Sequence, residues 1–432
     1  MGSFQVSTFK TLRELYTTWD ELKTHLTSEA GGKFTVRDCE NTPFAIIQYK
    51  KGQSVLGENG HWFRSVVWNK DTHLPVCVSP RKASPGMPPV NTPLHLEEFY
   101  DGVMVNVFRV LGSSEEHITT RSQYGAGGTF YSEKTFKQLF NEVSRPNTWL
   151  PKDLPSVEFP ASFTSYVLQH PEHRVVATVS SPKLVAVENG KISADGTIVY
   201  VDPFYKYVAP VTFLSEKEMN ERVRSESIHR GWRWQGVVFR DTMGNRWRIR
   251  SPTYIYLRKL RGNESKPLDR FLRLRSMNSI QEYLKHYGEE RQVFWSFEIT
   301  LRKRTKEIYD SYVAVHKSHE KKLADLPQPD KTVVFKLHSH FLANLRAQSK
   351  SIRMQDVIDL VNALPLWEQA LLFKVPVPTG QQQGQQQGQQ QDESLPTGQQ
   401  QDESLPTGQQ QDESLPTGQQ QEQTAPEPPA SS

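Results

Sequence analysis

Between Ser7 and Leu26 the apolar residues Phe9, Leu12, Leu15, Tyr16, Trp19, Leu22 and Leu26 recur at helical spacing, which predicts one amphipathic helix capped by Ser7 or Thr8. From about Phe34 to Arg261 the pattern changes to short runs rich in Val, Ile, Phe, Tyr and Trp, broken by Gly, Pro, Asn and Asp. AIIQYKKG, RSVVWNKD, DGVMVNVFRVLG and GTIVYVDP are examples. Such runs predict an antiparallel α+β core. From about Ser279 to Phe373 the helical period returns, with Ile280, Tyr283, Leu284 and Tyr287 on one face and Leu301, Thr305, Ile308 and Tyr312 on another. Two further helices are predicted over Thr332 to Arg346 and Ile352 to Ala363, the second ending before Pro365.

Periodicity then stops. The decapeptide QQQDESLPTG runs three times in tandem from Gln389, Gln399 and Gln409. Each copy has one aliphatic residue beside a Gly and a Pro, too little apolar surface to offset the entropy of ordering, so a disordered tail is expected. Three units follow: a β-rich unit over 1–275, a helical unit over 276–375 and the tail over 376–432. The simpler reading of the tail is a repeat expanded without a selected role; a tether is the alternative.

Charge sharpens this division. The eight acidic residues after Lys374 leave 52 basic against 40 acidic side chains in the remainder, about +12, although the whole chain is only +4. A basic body points to a polyanionic partner. Cys39 and Cys77 are too few for a disulfide framework and lack CxxC spacing, which favours a reducing compartment. No apolar run is long enough to span a membrane and MGSFQVSTFK has no signal-peptide core, so no membrane partner and a cytosolic, or alternatively nuclear, location are expected.

The cations concentrate between Arg222 and Arg261, where eleven Arg and Lys residues alternate with Trp232, Trp234, Trp247, Tyr254 and Tyr256. If Asn245 to Ser251 is a strand, its period of two puts Arg246, Arg248 and Arg250 on one face and Trp247 and Ile249 on the other. Guanidinium forks suit phosphate oxygens and aromatic rings stack on unpaired bases, so single-stranded RNA or a 5′-phosphate fits this chemistry. The competing reading pairs each arginine with a local carboxylate and buries each tryptophan. His170 and His173 of HPEH fall on a turn with no Cys or His cluster beside it, and His338 and His340 alternate on a helix; neither pair predicts a metal site. The GAGG at Gly125 to Gly128 lacks the GK[ST] of a P-loop and predicts a hairpin turn.

Four segments, in order, resemble motifs of phage-type ATP-dependent RNA ligases of the covalent nucleotidyltransferase superfamily. WFRSVVWN from Trp62 with VSPRKAS from Val78 is similar to the strand leading into that family's site. EEFYDGVMVNVF from Glu97 resembles the KxDG motif, and TTRSQYGAGG from Thr119 the strand after it. YVLQHPEHRVV from Tyr166 and QGVVFRDTMGNRWRIR from Gln235 resemble the later motifs that close the site. The resemblance implies an RNA ligase-like, antiparallel-sheet nucleotidyltransferase core followed by an α-helical C-terminal domain. It places Arg64, Asp101, Gly102, Arg121, Arg174, Gln235, Arg248 and Arg250 among nucleotide- or RNA-binding positions.

The residues depart from the family where its chemistry resides. The KxDG lysine, which forms a phosphoramidate with AMP in the family, falls on Phe99, whose ring carbon is no nucleophile. The motif glutamates fall on Val167 and Gln235, which weakens any Mg²⁺ site, and the two lysines of KxK fall on Arg248 and Arg250. No lysine lies between Lys82 and Lys134 or between Lys217 and Lys259, so no small shift of alignment restores either motif. The expectation is a degenerate RNA- or nucleotide-binding pseudoenzyme, with ATP and Mg²⁺ binding weak or lost and no catalytic residue assigned. Two alternatives stand beside it: an active ligase with a displaced nucleophile at Lys50 or Lys51, and a scaffold taking protein partners through the helical domain or tail.

Overall fold

In the computed structural model, which describes residues 4–54, 60–88, 94–143, 154–201, 215–241 and 243–374, the chain is α+β, with antiparallel sheets followed by a helical C-terminal region. The repeat tail and its expected disorder lie outside the described residues. The large sheet has six strands in the order Phe4–Val6, Ile198–Val201, Lys183–Ile192, Ala161–Gln169, Val103–Val110, His117–Thr120. A four-stranded meander is built from Thr35–Asp38, Phe44–Gln48, Val66–Asn69 and Leu74–Val78. A second four-stranded sheet runs Ser84–Pro85, Arg246–Arg250, Gly236–Asp241, Leu94–Glu98, its short first strand pairing in parallel.

Strand alternation distributes the cores. Val105 and Val107 face outward with Tyr166 and Leu168 and are covered by Leu139 of the helix Phe136–Val143. The next residue, Phe108, points inward with Phe163, Ile47, Val66 and Trp68 into the core shared with the meander and the N-terminal helices. Further along the same inner face the row turns polar. Asn106, Ser165 and Glu188 lie side by side on adjacent strands, and Ser165 donates to Asn106 at 2.7 Å. Asn106 in turn donates to Ser79 at 2.9 Å.

The N-terminal pattern forms two helices, Thr8–Leu15 and Trp19–Thr27, rather than one. Thr18 restarts the chain: its hydroxyl accepts from the Glu21 backbone and Glu21 accepts from the Thr18 backbone, a capping box that outweighs helical continuity. Lys50 and Lys51 sit in a turn after the strand Phe44–Gln48, not within it. Inside the β-rich stretch, Glu216–Arg230 and Pro252–Arg261 are helices. The second, with Pro267–Ser276, packs with the later helices Ile280–His286, Arg291–His316, Gln328–His340 and Met354–Ala363 around Leu257, Phe271, Phe294, Ile308 and Val334. Past His340 the expected helix continues as one π turn, Phe341–Leu345, and Pro365 starts a short helix, Leu366–Leu372, rather than only ending its predecessor. Among the described residues no helix is long and apolar enough to cross a membrane.

Sheets and helices meet at a cluster of buried arginines and tyrosines. The Arg261 guanidinium lies over the rings of Tyr131 at 4.4 Å and Tyr287 at 4.5 Å and pairs with Glu290 at 2.6 Å. Arg270 reaches the same carboxylate at 2.8 Å, and the Tyr283 hydroxyl donates to it at 3.0 Å. Glu290 is therefore the shared counter-ion of two guanidiniums that water hardly reaches. Glu290→Ala should lower stability by about 3 kcal/mol or more, because it leaves those charges buried without their acceptor. A urea denaturation midpoint close to that of the parent protein would refute this.

Candidate nucleic-acid interface

The register of the second four-stranded sheet fixes which side chains share a face. Arg248 pairs with Val238, Arg246 with Arg240, Arg250 with Gly236 and Glu97 with Val238, so these positions line one side. On the other side Trp247 and Ile249 pack with Leu96 and Phe239 against Met219 and Val223 of the helix Glu216–Arg230. One face is cationic and one is core, as the spacing predicted.

The cationic face turns toward the polar row of the large sheet. Arg240 crosses to Glu188 at 2.5 Å and also meets Glu97 at 3.3 Å, and those carboxylates offset the burial that would otherwise disfavour its charge. Arg246 is less well served. Burial, then the neighbouring charge of Arg240 and more weakly that of Arg64, lower its guanidinium to about 10 despite the two carboxylates. Its Nη1 donates to the Arg81 carbonyl at 3.3 Å, Arg248 donates to the Ala83 carbonyl, and Arg81 donates to Asn245. The segment from Arg81 to Pro85 thus runs beside Arg246–Arg250 and adds its own cations to the same margin.

Where that margin meets the helix Pro252–Arg261 there is an open hollow of about 250 Å³. Its lining includes Arg248, Arg250, Arg258 and Lys259, with Asn220 and Tyr254, and among the described residues no carboxylate. Arg248 donates to the Ala83 carbonyl and Arg258 to the Gly262 carbonyl and Asn263, while the net positive lining, with no acid in it, suits an anion such as a phosphate ester.

The eight residues singled out from sequence separate into two groups. Arg248 and Arg250 line the hollow. Arg64 lies close enough to both Arg246 and Arg121 for its charge to disfavour theirs. Arg121 stacks on Tyr49 at 4.6 Å and donates to the carbonyls of Arg64 at 3.1 Å and Tyr49 at 2.9 Å. Burial lowers it to about 10, and its Nη1 is buried without a partner. Gln235 is only 1% exposed, and neither atom of its side-chain amide has a partner. A buried amide left unpaired costs about 1–3 kcal/mol, so a polar partner reaching it would stabilise the position.

The remaining three serve the joint with the helices. The buried Asp101 carboxylate accepts from the backbone amides of Val176 at 3.0 Å and Ala177 at 2.9 Å and from the Tyr254 hydroxyl at 2.6 Å. Gly102 is needed for close approach: a Cβ there would lie 2.4 Å from the Leu168 carbonyl oxygen and 2.7 Å from Val167. Arg174 stacks on Tyr287 at 4.5 Å and Trp232 at 5.1 Å and pairs with Glu289 at 2.7 Å. Residues 99–102 form the crossing from the strand Leu94–Glu98 to the strand Val103–Val110, which belong to different sheets. Phe99 stands at that crossing, on the cationic face, with the Arg250 guanidinium 5.4 Å from its ring centre. Sequence reasoning had Arg258 within its cationic stripe but did not single out Arg81 and Lys82; the PRK triplet at 80–82 was the available signal.

The residues present do not fit a divalent metal at this place. Phe99, Val167 and Gln235 supply no carboxylate, and Glu97 and Glu188 are taken by Arg240. Elsewhere, Glu142, His170 and Glu172 bring ligand atoms within 4.8 Å of one another. The Lys134 ammonium bridges that pair of carboxylates at 2.8 and 2.7 Å and so already supplies the positive charge. His170 and His173 are both buried, facing across their turn, and His338 stacks on His316 at 3.9 Å.

No family model matches this sequence and no curated protein matches it. Among solved structures an archaeal ATP-dependent RNA ligase is similar, with a TM-score of 0.37 and 13% identity, over 67% of this chain and 74% of that one. So low an identity transfers no residue role to this chain.

Two outcomes are expected from the joint. Asp101→Ala orphans three buried donors and should cost more than about 3 kcal/mol in chemical denaturation, whereas Asp101→Asn, which keeps an acceptor oxygen, should cost less. The buried His173 ring is held down to about 4 from its ordinary 6.5 by burial and then by the charge of Arg261. The unfolded chain takes up that proton first, so stability is intact above the ordinary value and declines as pH falls from there toward about 4, by up to about 3 kcal/mol. His173→Gln should flatten that slope in pH-dependent melts; an unchanged slope would assign it to other groups.

Proposed function

We propose that this chain is a non-covalent binder of RNA or nucleotide, a degenerate relative of the RNA ligase architecture that its motifs resemble. What supports the reading is Phe99 at the crossing, where the motif resemblance would put a lysine, on a face otherwise furnished with Arg246, Arg248 and Arg250. Positive charge for phosphate oxygens is kept there while the amine for a phosphoramidate is gone. With Glu97 and Glu188 engaged by Arg240, the donor set supports binding without a resident metal, and so an ATP contact, if made, without transfer of AMP. RNA is preferred as the partner because the motifs resemble those of RNA ligases.

Incubation with α-labelled ATP or GTP and Mg²⁺ or Mn²⁺ should leave no label on the protein after denaturing electrophoresis. A label mapped to Lys50 or Lys51 would establish a displaced nucleophile instead. RNA affinity should fall steeply with salt. Arg250→Gln combined with Lys259→Gln, both at the hollow, should weaken binding and flatten the dependence of log K on log salt by about 0.7 for each phosphate that is no longer neutralised. Absence of salt-sensitive binding to RNA or nucleotide would leave the protein-scaffold alternative.

A further inference from the structure

Phe99, Gly236 and Arg250 form one row across neighbouring strands at the end of the cationic sheet. Phe99 donates its backbone N–H to the Gly236 carbonyl at 3.0 Å, and Gly236 is the register partner of Arg250. The middle member of the row is bare by necessity. Its φ of +133° and a Cβ only 2.1 Å from the Ile249 carbonyl oxygen exclude any side chain there. The gap is bridged by the Arg250 guanidinium, which leans over the half-buried Phe99 ring at 5.4 Å. Arg250 also lines the phosphate-suited hollow with Arg258 and Lys259, so the aromatic face and the anion pocket share one side chain.

On the reading that the cationic face takes nucleic acid or nucleotide, we infer that Phe99 is a base-stacking platform and that the site selects ligands carrying an unpaired nucleobase over bare phosphate chains. The ring contact is one among the interactions of the Arg250 guanidinium, and at a partly wet surface a cation–ring contact is itself weak. A flat base offers the same ring a larger face to cover. When the base arrives it takes the place of Arg250 on the ring face, and Arg250 remains a lining residue of the hollow beside it. The residue that removes a nucleophile thereby supplies a specificity element, which an aliphatic side chain at the same place would not.

The test compares a short oligoadenylate with an abasic oligomer of equal phosphate number, by fluorescence anisotropy at low salt. Wild-type protein should bind the oligoadenylate more tightly. Phe99→Leu, which keeps apolar bulk but no aromatic face, should weaken oligoadenylate binding about tenfold, or about 1.4 kcal/mol, and leave abasic binding unchanged. Phe99→Trp should retain the preference, and the thermal melt of each variant shows whether it is folded. Equal weakening for both oligomers in Phe99→Leu, or no weakening for either, overturns the stacking role while leaving the nucleic-acid reading in place. If wild-type protein binds neither oligomer, that reading and the platform fall together.

Discussion

A single buried carboxylate ties the molecule together. Asp101 holds the backbone of Val176 and Ala177 with one oxygen and the Tyr254 hydroxyl with the other, and so joins the large sheet, the turn after it and the first helix of the helical layer. Because the strand Leu94–Glu98 and the strand Val103–Val110 belong to different sheets, the crossing between them also sets how those sheets face each other. Charge-assisted hydrogen bonds in a site with little water are strong and directional, so the crossing has little freedom. Phe99, two residues earlier, takes its place on the cationic face from that anchor.

Within the cationic face, Arg246 is the residue that burial and like charge disfavour. Arg240 has two carboxylates, but Arg246 is buried next to Arg240 and within reach of the Arg64 charge, and its guanidinium is correspondingly less basic. Cores selected for stability alone would replace such a residue by an apolar one of similar volume. Local rules of this kind tend to be broken where a protein binds something, and an anionic ligand is the partner that would relieve this one.

Much of this was legible in the residues. The alternation of Arg246, Arg248 and Arg250 with Trp247 and Ile249 gave the two faces of their strand, since a period of two leaves no other arrangement. Two helices escaped for opposite reasons. Glu216–Arg230 buries little besides Met219 and Val223, so its sequence carries no apolar stripe, while Pro252–Arg261 is rich in the Tyr and Ile that favour strands. Tertiary packing of Tyr254 and Leu257 overrode that preference. The motif resemblance sets Arg174 and Asp101 among nucleotide- or RNA-binding positions, but the contacts they make, Tyr287 and Glu289 for one and Tyr254 for the other, lie far along the chain and leave no local pattern.

The tight approach at Gly102 bears on history as well as on stability. Val167 packs so closely there that a Cβ on Gly102 would come within 2.7 Å of its side chain. A glutamate at position 167 would have to enter this dry, close-fitting spot, and it would gain nothing unless a lysine stood at position 99 and a carboxylate at position 235 as well. On the proposed reading each of these reversals, taken alone, is neutral at best. On that reading a return to covalent chemistry would require these substitutions together rather than one at a time.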